Sequence, residues 1–344
     1  MEVIRGWTHR AFEVQDMSCV GEARRHVAAL CAERGWPERD AGRATLVATE
    51  LTTNLAKHAR QGQLLVAARE PFDDIELLCV DRGPGMDDVP RSMRDGVSTT
   101  ATSGTGLGAI VRQSDFVDIH SEPGVGTVCV SRVARGGGSS AARTVRTEPA
   151  PAFDFGAVCV PVRGESVCGD GWLVAFEGGQ AAALLADGLG HGPDAARAAQ
   201  AAVDVFAENP FRDGAASLQA MHAALRTLRG AAVLALWADT AEVRYSGAGN
   251  VMARLVSGTA DRALATAHGT LGLQARRFDA TCVPRPPHAT AVVYSDGVQS
   301  RWPADAIAPL LARDPALLAA RIYGDYARGR DDVCVLALRP KEAA

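Results

Sequence analysis

Apolar side chains at Val27, Leu30 and Cys31 recur at helical spacing within residues 22–34, and the run ends at Gly35 and Pro37. The spacing predicts a helix with a defined stop. A second helix is predicted over residues 38–59, with Leu46, Val47, Leu51 and Leu55 on its buried stripe. Shorter apolar runs at 63–69 and 75–80 read as strands, 106–114 as a helix entered from a glycine turn, and 116–120 and 127–133 as closing strands. Several helices covering one face of a mixed sheet make an α/β sandwich.

Past residue 151 the pattern changes. Strands are predicted at 157–160, 172–177, 181–186, 231–237, 241–246, 253–256, 291–295 and 333–338, and helices at 193–208 and 215–228. Pro193 suits the first turn of its helix. Many strands around two central helices fit a sandwich of sheets covered by helices. Between the halves, Arg135, Gly136, Gly137, Gly138, Ser139 and Ser140 carry no apolar period, and none returns before Pro151. The expected organisation is a first domain at 1–134, a flexible linker at 135–151 and a second domain at 152–340. The two halves do not resemble each other.

Composition changes this picture little. A length of 344 residues suits two cores better than one. A net charge of -4 and a pI near 6.1 give no global drive toward nucleic acid or an anionic membrane. No apolar stretch is long enough to span a bilayer, and the segment from Met1 to Trp7 lacks the apolar core of a secretion signal. The eight cysteines form no C-x-x-C pair, and most lie in apolar runs such as Leu77, Leu78, Cys79, Val80. They read as small buried hydrophobes in a reducing cytoplasm.

The candidate chemistry lies at the ends of these elements. Glu50 and Asn54 are four apart on a predicted helix and so share a face. An amide oxygen there can ligate Mg²⁺, and a carboxylate can orient or deprotonate a hydroxyl. Asp81 ends a strand and is followed by Gly83 and Gly85; such a carboxylate can accept a hydrogen bond from an adenine amine. Gly104, Gly106 and Gly108 precede a helix whose free N–H groups favour phosphate. In the second half, Asp170, Asp187 with Gly188, Asp296 with Gly297, and Asp331 with Asp332 each adjoin an apolar run. Carboxylates at neighbouring strand ends can gather two divalent ions. Each element alone is an ordinary turn; their order and spacing give them weight.

Taken in order, the first set resembles the nucleotide-binding boxes of the GHKL ATPase superfamily, and within it the anti-sigma-factor serine kinases of the RsbT and SpoIIAB type. The likeness spans most of residues 1–133, including the short lid at 89–103 and the tail at 121–127. It implies an ATP and Mg²⁺ site with Glu50 as catalytic base, Asn54 as Mg²⁺ ligand and Asp81 on adenine. Gly83 and Gly85 would shape that pocket, and Gly104, Gly106 and Gly108 would wrap the phosphates.

The second set resembles the SpoIIE/RsbX branch of the PP2C-like metal-dependent serine/threonine phosphatases over nearly all of 152–339. The likeness implies a PP2C-like α/β-β/α sandwich holding two Mn²⁺ or Mg²⁺ ions. Asp187 would bridge both, Asp296 and Asp331 would hold one, and Asp170 with the Gly188 carbonyl would serve the other. The choice between Asp331 and Asp332 stays open, and residues 247–250 are read as a turn lining the cleft. His191 is read either as proton donor to the leaving serine oxygen or as a residue stabilising its turn. Together the resemblances imply a kinase and a phosphatase acting on a STAS-domain switch protein, a stressosome component or a sigma-factor regulator, with neither nucleic acid nor membrane as partner and no specified oligomeric state. The alternative they leave is a phosphatase whose first half senses ATP or sequesters a regulator without phosphorylating it.

Overall fold

The computed structural model describes residues 1–93, 106–137, 151–276 and 278–341. The chain forms two compact units, one of His9–Thr147 and one of Met1–Thr8 with Glu148–Ala344. The first is inserted in the sequence of the second. Its first strand, β1 (Glu2–Arg5), therefore belongs with residues that lie far downstream.

The inserted unit contains β2 (Arg10–Val14), α1 (Ser18–Glu33), α2 (Glu38–His58), β3 (Gly62–Arg69), β4 (Asp74–Val80), the one-turn α3 (Val89–Ser92), α4 (Gly106–Gln113), β5 (Phe116–Glu122) and β6 (Gly126–Ala134). The sheet order is β2-β3-β4-β6-β5. Every pairing in it is antiparallel, where a mixed sheet was expected. Glu38 and Asp40 occupy the first turn of α2 and Lys57 and His58 the last, complementing the helix dipole. Ala44, Val47, Ala48, Leu51 and Leu55 form the buried stripe of α2. Leu46 does not join them and is 40% exposed, because it lies about 100° around the helix from Val47. The stripe packs with Val27 and Cys31 of α1 and Ile110 of α4 over Leu64, Ile75 and Leu77 of the sheet. On β4, Glu76 is buried and ion-pairs with Arg69 and Arg132 at 3.3 and 2.7 Å. Burial pushes its carboxyl up, but the two arginines and His9 outweigh that and hold it well below the usual range.

The split unit adds β7 (Phe153–Val160), β8 (Asp170–Glu177), β9 (Gln180–Gly188), α5 (Pro193–Glu208), α6 (Gly214–Ala224), β10 (Ala231–Ala238), β11 (Glu242–Ala248), β12 (Met252–Val256), β13 (Asp261–Leu264), β14 (Thr281–Pro284), β15 (Thr290–Tyr294), α7 (Pro315–Tyr326) and β16 (Val333–Pro340). Its two sheets run β1-β8-β9-β10-β11-β14 and β13-β12-β15-β16-β7. Helices α5 and α6 pack on the first and α7 on the second, while β16 touches β8 between the sheets. The expected sandwich is present, with β1, β13, β14 and α7 added to the elements read from sequence. Of the cysteines, six are buried as expected, Cys19 is partly exposed and Cys282 is exposed.

The expected domain start at residue 1 is corrected by β1. Its residues pair antiparallel with β8 from Glu2↔Phe176 to Arg5↔Leu173. Beyond it, Gly6 N–H donates to the Trp172 carbonyl at 2.8 Å, and the Trp172 indole N–H donates to the Trp7 carbonyl at 3.2 Å. The Trp7 and Trp172 rings meet edge to face at 4.7 Å, with Phe155 beside both. Gly6 is required by close approach: a Cβ there would lie 2.5 Å from the Trp172 carbonyl oxygen. Gly6→Val is expected to cost about 1–3 kcal/mol through overpacking. Amide exchange should accelerate at Leu173 and Val174 while Leu64 and Leu65 in β3 keep their protection. Unchanged exchange in β8 would contradict this assignment of β1.

Candidate functional sites

In the inserted unit, α4 packs against α2, which brings the first and third sequence motifs together. A Cβ placed on Gly106 would lie 3.1 Å from Glu50 Oε2 and 3.5 Å from Asn54 Oδ1. Glu50 and Asn54 are thus neighbours of the N-terminus of α4, where unpaired N–H groups and the helix dipole attract anions. Gly108 is buried on that helix, and Gly104 lies outside the described residues. Of the lid expected at 89–103, only α3 and Met93 lie within them.

The second motif sits at the end of β4. Asp81 is 9% exposed, and its Oδ1 accepts the Gly83 N–H at 2.6 Å. Gly85 has φ 71°, and a Cβ there would come 2.2 Å from the Glu122 carbonyl oxygen. Only glycine fits that turn. Ser121, quoted within the sequence tail, accepts the Met86 N–H at 2.8 Å and bonds Thr127 Oγ1 at 2.8 Å. These bonds tie the β5–β6 hairpin to the loop that follows Asp81.

The split unit gathers carboxylates because its strand ends coincide. Asp170 and Asp187 are Cα partners across β8 and β9. Asp296 follows β15 and Asp331 precedes β16, the strand paired with β15. Asp187, Asp296 and Asp331 line one open cleft of about 550 Å³ together with Leu189, Gly190, Asn250 and His268. Asp170 does not line it; its Oδ2 accepts the Ser295 hydroxyl at 2.7 Å behind the cleft. Gly188 closes on α5, where a Cβ would lie 2.0 Å from the Ala195 carbonyl oxygen. Asn250 Nδ2 donates to Asp296 Oδ2, which gives the expected 247–250 turn a direct part in the cleft.

Asp331 and Asp332 differ in their hydrogen bonding. Asp332 accepts the Val162 N–H at 2.7 Å and the Gly169 N–H at 2.9 Å, so both carboxylate oxygens fasten the segment between β7 and β8. Asp331 is the one that faces the cleft. His191 is absent from the cleft lining; its Nδ1 lies 2.9 Å from Glu165 Oε1. Asn250 belongs to the turn expected to line the cleft, and Ser295 directly precedes Asp296. His268 carries no spacing signal in the sequence.

Burial is the first cause that raises the carboxyl pKa values here. It pushes Asp187 up to about 8, with the charges of Asp296, Asp331 and Asp332 adding to the effect. Burial and then Asp187 raise Asp170 well above the carboxylate range, and burial and then Asp331 raise Asp296. Hard carboxylate oxygens short of compensating positive charge suit Mg²⁺ or Mn²⁺. Among the described residues no three His, Cys, Asp or Glu side chains form a compact chelating group.

Residues 15–132 match the family model for the histidine kinase-like ATPase domain, and residues 177–341 match that for stage II sporulation protein E, SpoIIE. Over 100 residues the chain is 31% identical to serine/threonine-protein kinase RsbT of Bacillus subtilis (strain 168), covering 28% of this chain and 75% of that protein. A structure solved in work on the bacterial stressosome as a modular system controlling secondary messenger signalling is similar at TM-score 0.51 and 26% identity, over 54% of this chain and 99% of the other. RsbX in complex with magnesium is similar in fold at TM-score 0.50 and 18% identity, over 56% of this chain and 98% of the other. No helix among the described residues is long and apolar enough to cross a membrane.

The raised pKa of Asp187 predicts a pH dependence of stability. Its folded value near 8 lies above the ordinary 3.8, so between them the folded chain holds a proton that the unfolded chain releases. In chelator, that contribution to the stability of the split unit is lost as pH rises toward 8. Metal-free Asp187→Asn should therefore melt above wild type at pH 8, with the gap narrowing toward pH 5. A gap that is constant or widens on acidification would contradict the crowding described here.

Proposed function

From a chain that belongs to the histidine kinase-like ATPase family of RsbT and carries a SpoIIE, PP2C-like domain, we propose a bifunctional cytosolic switch protein. The inserted unit transfers the γ-phosphoryl group of Mg-ATP to a serine or threonine of a STAS-domain partner. The split unit removes it. The observation that carries this reading is that one chain keeps a carboxylate beside its phosphate-facing helix end and a separate cleft lined by three aspartates. RsbT is named a serine/threonine kinase, and a similar structure comes from stressosome work; both support a partner of that kind.

In the kinase reaction, Glu50 accepts the proton of the attacking hydroxyl and Asn54 provides the amide oxygen for Mg²⁺. Asp81 receives the adenine amine, with the Gly83 and Gly85 turn against the ring. The backbone at Gly104, Gly106 and Gly108 takes the phosphates. In the phosphatase, Asp187 would hold two Mn²⁺ or Mg²⁺ ions, Asp296 and Asp331 one of them, and Asp170 with the Gly188 carbonyl the other. The ions supply an activated water and neutralise phosphate charge. Asp332 keeps the β7–β8 segment in place instead of taking a ligand role.

The test incubates the chain and candidate STAS proteins with labelled Mg-ATP. Asp187→Ala should leave more label on the partner than wild type, and Glu50→Ala should slow labelling roughly 10²–10⁴-fold. If wild type and Asp187→Ala both leave every partner unlabelled, the kinase reading fails. On a phosphorylated partner supplied separately, Asp296→Ala should slow release of phosphate; an unchanged rate rejects the aspartate assignment.

A further inference from the structure

We propose that His268 is the proton donor to the leaving serine oxygen in the phosphatase cleft; this rests on the phosphatase reading above. Splitting a phosphoserine expels a serine alkoxide, a strong base and a poor leaving group. A side chain that protonates this oxygen as the P–O bond breaks contributes typically 10²–10⁴-fold. The aspartates of the cleft are needed for binding cations, and acceptor carboxylates facing a phosphate cannot supply that proton. The sequence offers His191 for this purpose, but His191 is engaged by Glu165 and does not line the cleft. Leu189 lines the cleft but has no proton to give.

His268 lines the same cleft as Asp187, Asp296, Asp331 and Asn250. The loop that carries it is braced on both sides. One residue before, Ala267 N–H donates to the Gly247 carbonyl and Gly249 N–H donates to the Ala267 carbonyl, both at 3.0 Å. Thr266 Oγ1 donates to the Gly249 carbonyl at 2.8 Å. Three residues after, Leu271 exchanges two backbone hydrogen bonds with Ala231 at 2.9 and 3.1 Å, and Leu271 is fully buried. Gly272 N–H then donates to His222 Nδ1 at 3.0 Å. A loop fixed at Ala267 and at Leu271 gives His268 a stable position on the cleft wall.

A water oxygen bonds to phosphorus while the P–Oγ bond breaks and its electron pair goes to the serine oxygen. A ring N–H of the His268 imidazolium delivers a proton to that oxygen, and the proton shed by the attacking water restores the imidazolium. The sum is phosphoserine plus water giving serine plus hydrogen phosphate. His268 touches the leaving group and nothing else in this step.

That role has a signature that a structural role lacks: it depends on the leaving group. The p-nitrophenolate ion is a weak base that leaves without a proton, whereas serine does not. Full-length wild type, His268→Ala, His268→Gln and His191→Ala are assayed with Mn²⁺ on a phosphoseryl peptide and on p-nitrophenyl phosphate, and Mn²⁺ affinity is followed by calorimetry. Both His268 variants should lose roughly 10²–10⁴-fold in kcat on the peptide but less than about tenfold on the aryl ester, with Mn²⁺ affinity unchanged. Equal losses on both substrates, a drop in Mn²⁺ affinity that accounts for the loss, or the selective loss appearing in His191→Ala instead would overturn the proposal. A wild-type chain inactive on both substrates rejects the phosphatase reading itself; an active wild type without the selective His268 effect rejects only the donor assignment.

Discussion

Repulsion among carboxylates that the strands force together is the constraint around which the split unit is built. Pairing β8 with β9 sets Asp170 opposite Asp187, and pairing β15 with β16 brings Asp296 and Asp331 to the same end of the other sheet. The ladder hydrogen bonds fix these positions, so the side chains cannot separate without breaking sheet. Neighbouring groups absorb part of the strain: Ser295 donates to Asp170, Asn250 to Asp296, and two backbone N–H groups to Asp332. Burial, and then what remains of this repulsion, pushes the pKa values of Asp170, Asp187 and Asp296 up. A fold that holds charges at unfavourable separation sacrifices stability for function, a common exchange at active sites.

On the proposed reading, the inserted unit binds phosphate by the opposite means. Its attraction comes from the N-terminus of α4, whose backbone groups and dipole are positive without any cation. One carboxylate, Glu50, stands beside that end, and Asn54 next to it adds an uncharged oxygen. On that reading the first unit meets phosphate with backbone N–H groups, while the second gathers several negative charges that would recruit cations.

Much of this could be read in the sequence, for identifiable reasons. Helix α2 was legible because its stripe has helical period and its ends carry the right charges; only Leu46 was misplaced, by one step around the helix. The cleft aspartates were legible because each follows or precedes an apolar strand. The difference between Asp331 and Asp332 was not, since it depends on where two N–H groups of a distant segment point. Helix α7 was hidden because residues from Pro315 to Tyr323 are all buried, so no polar face marks the period. His268 was hidden because a single histidine in a loop has no spacing to interpret, and its position is set by contacts to β10 and β11. The separation of β1 from its own unit was hidden for the same reason: nothing local in Glu2–Arg5 specifies a partner in β8.

The place of β1 bears on how the chain is made. During synthesis Val3, Ile4 and Trp7 leave the ribosome before the inserted unit, but their partners around Trp172 follow about 170 residues later. At 5–20 residues per second that is a wait of roughly ten to thirty seconds. The inserted unit has time to fold first, with an unpaired apolar strand tethered directly to its edge. The two units therefore mature in a fixed order, the kinase-like one complete while the phosphatase-like one still lacks most of its chain.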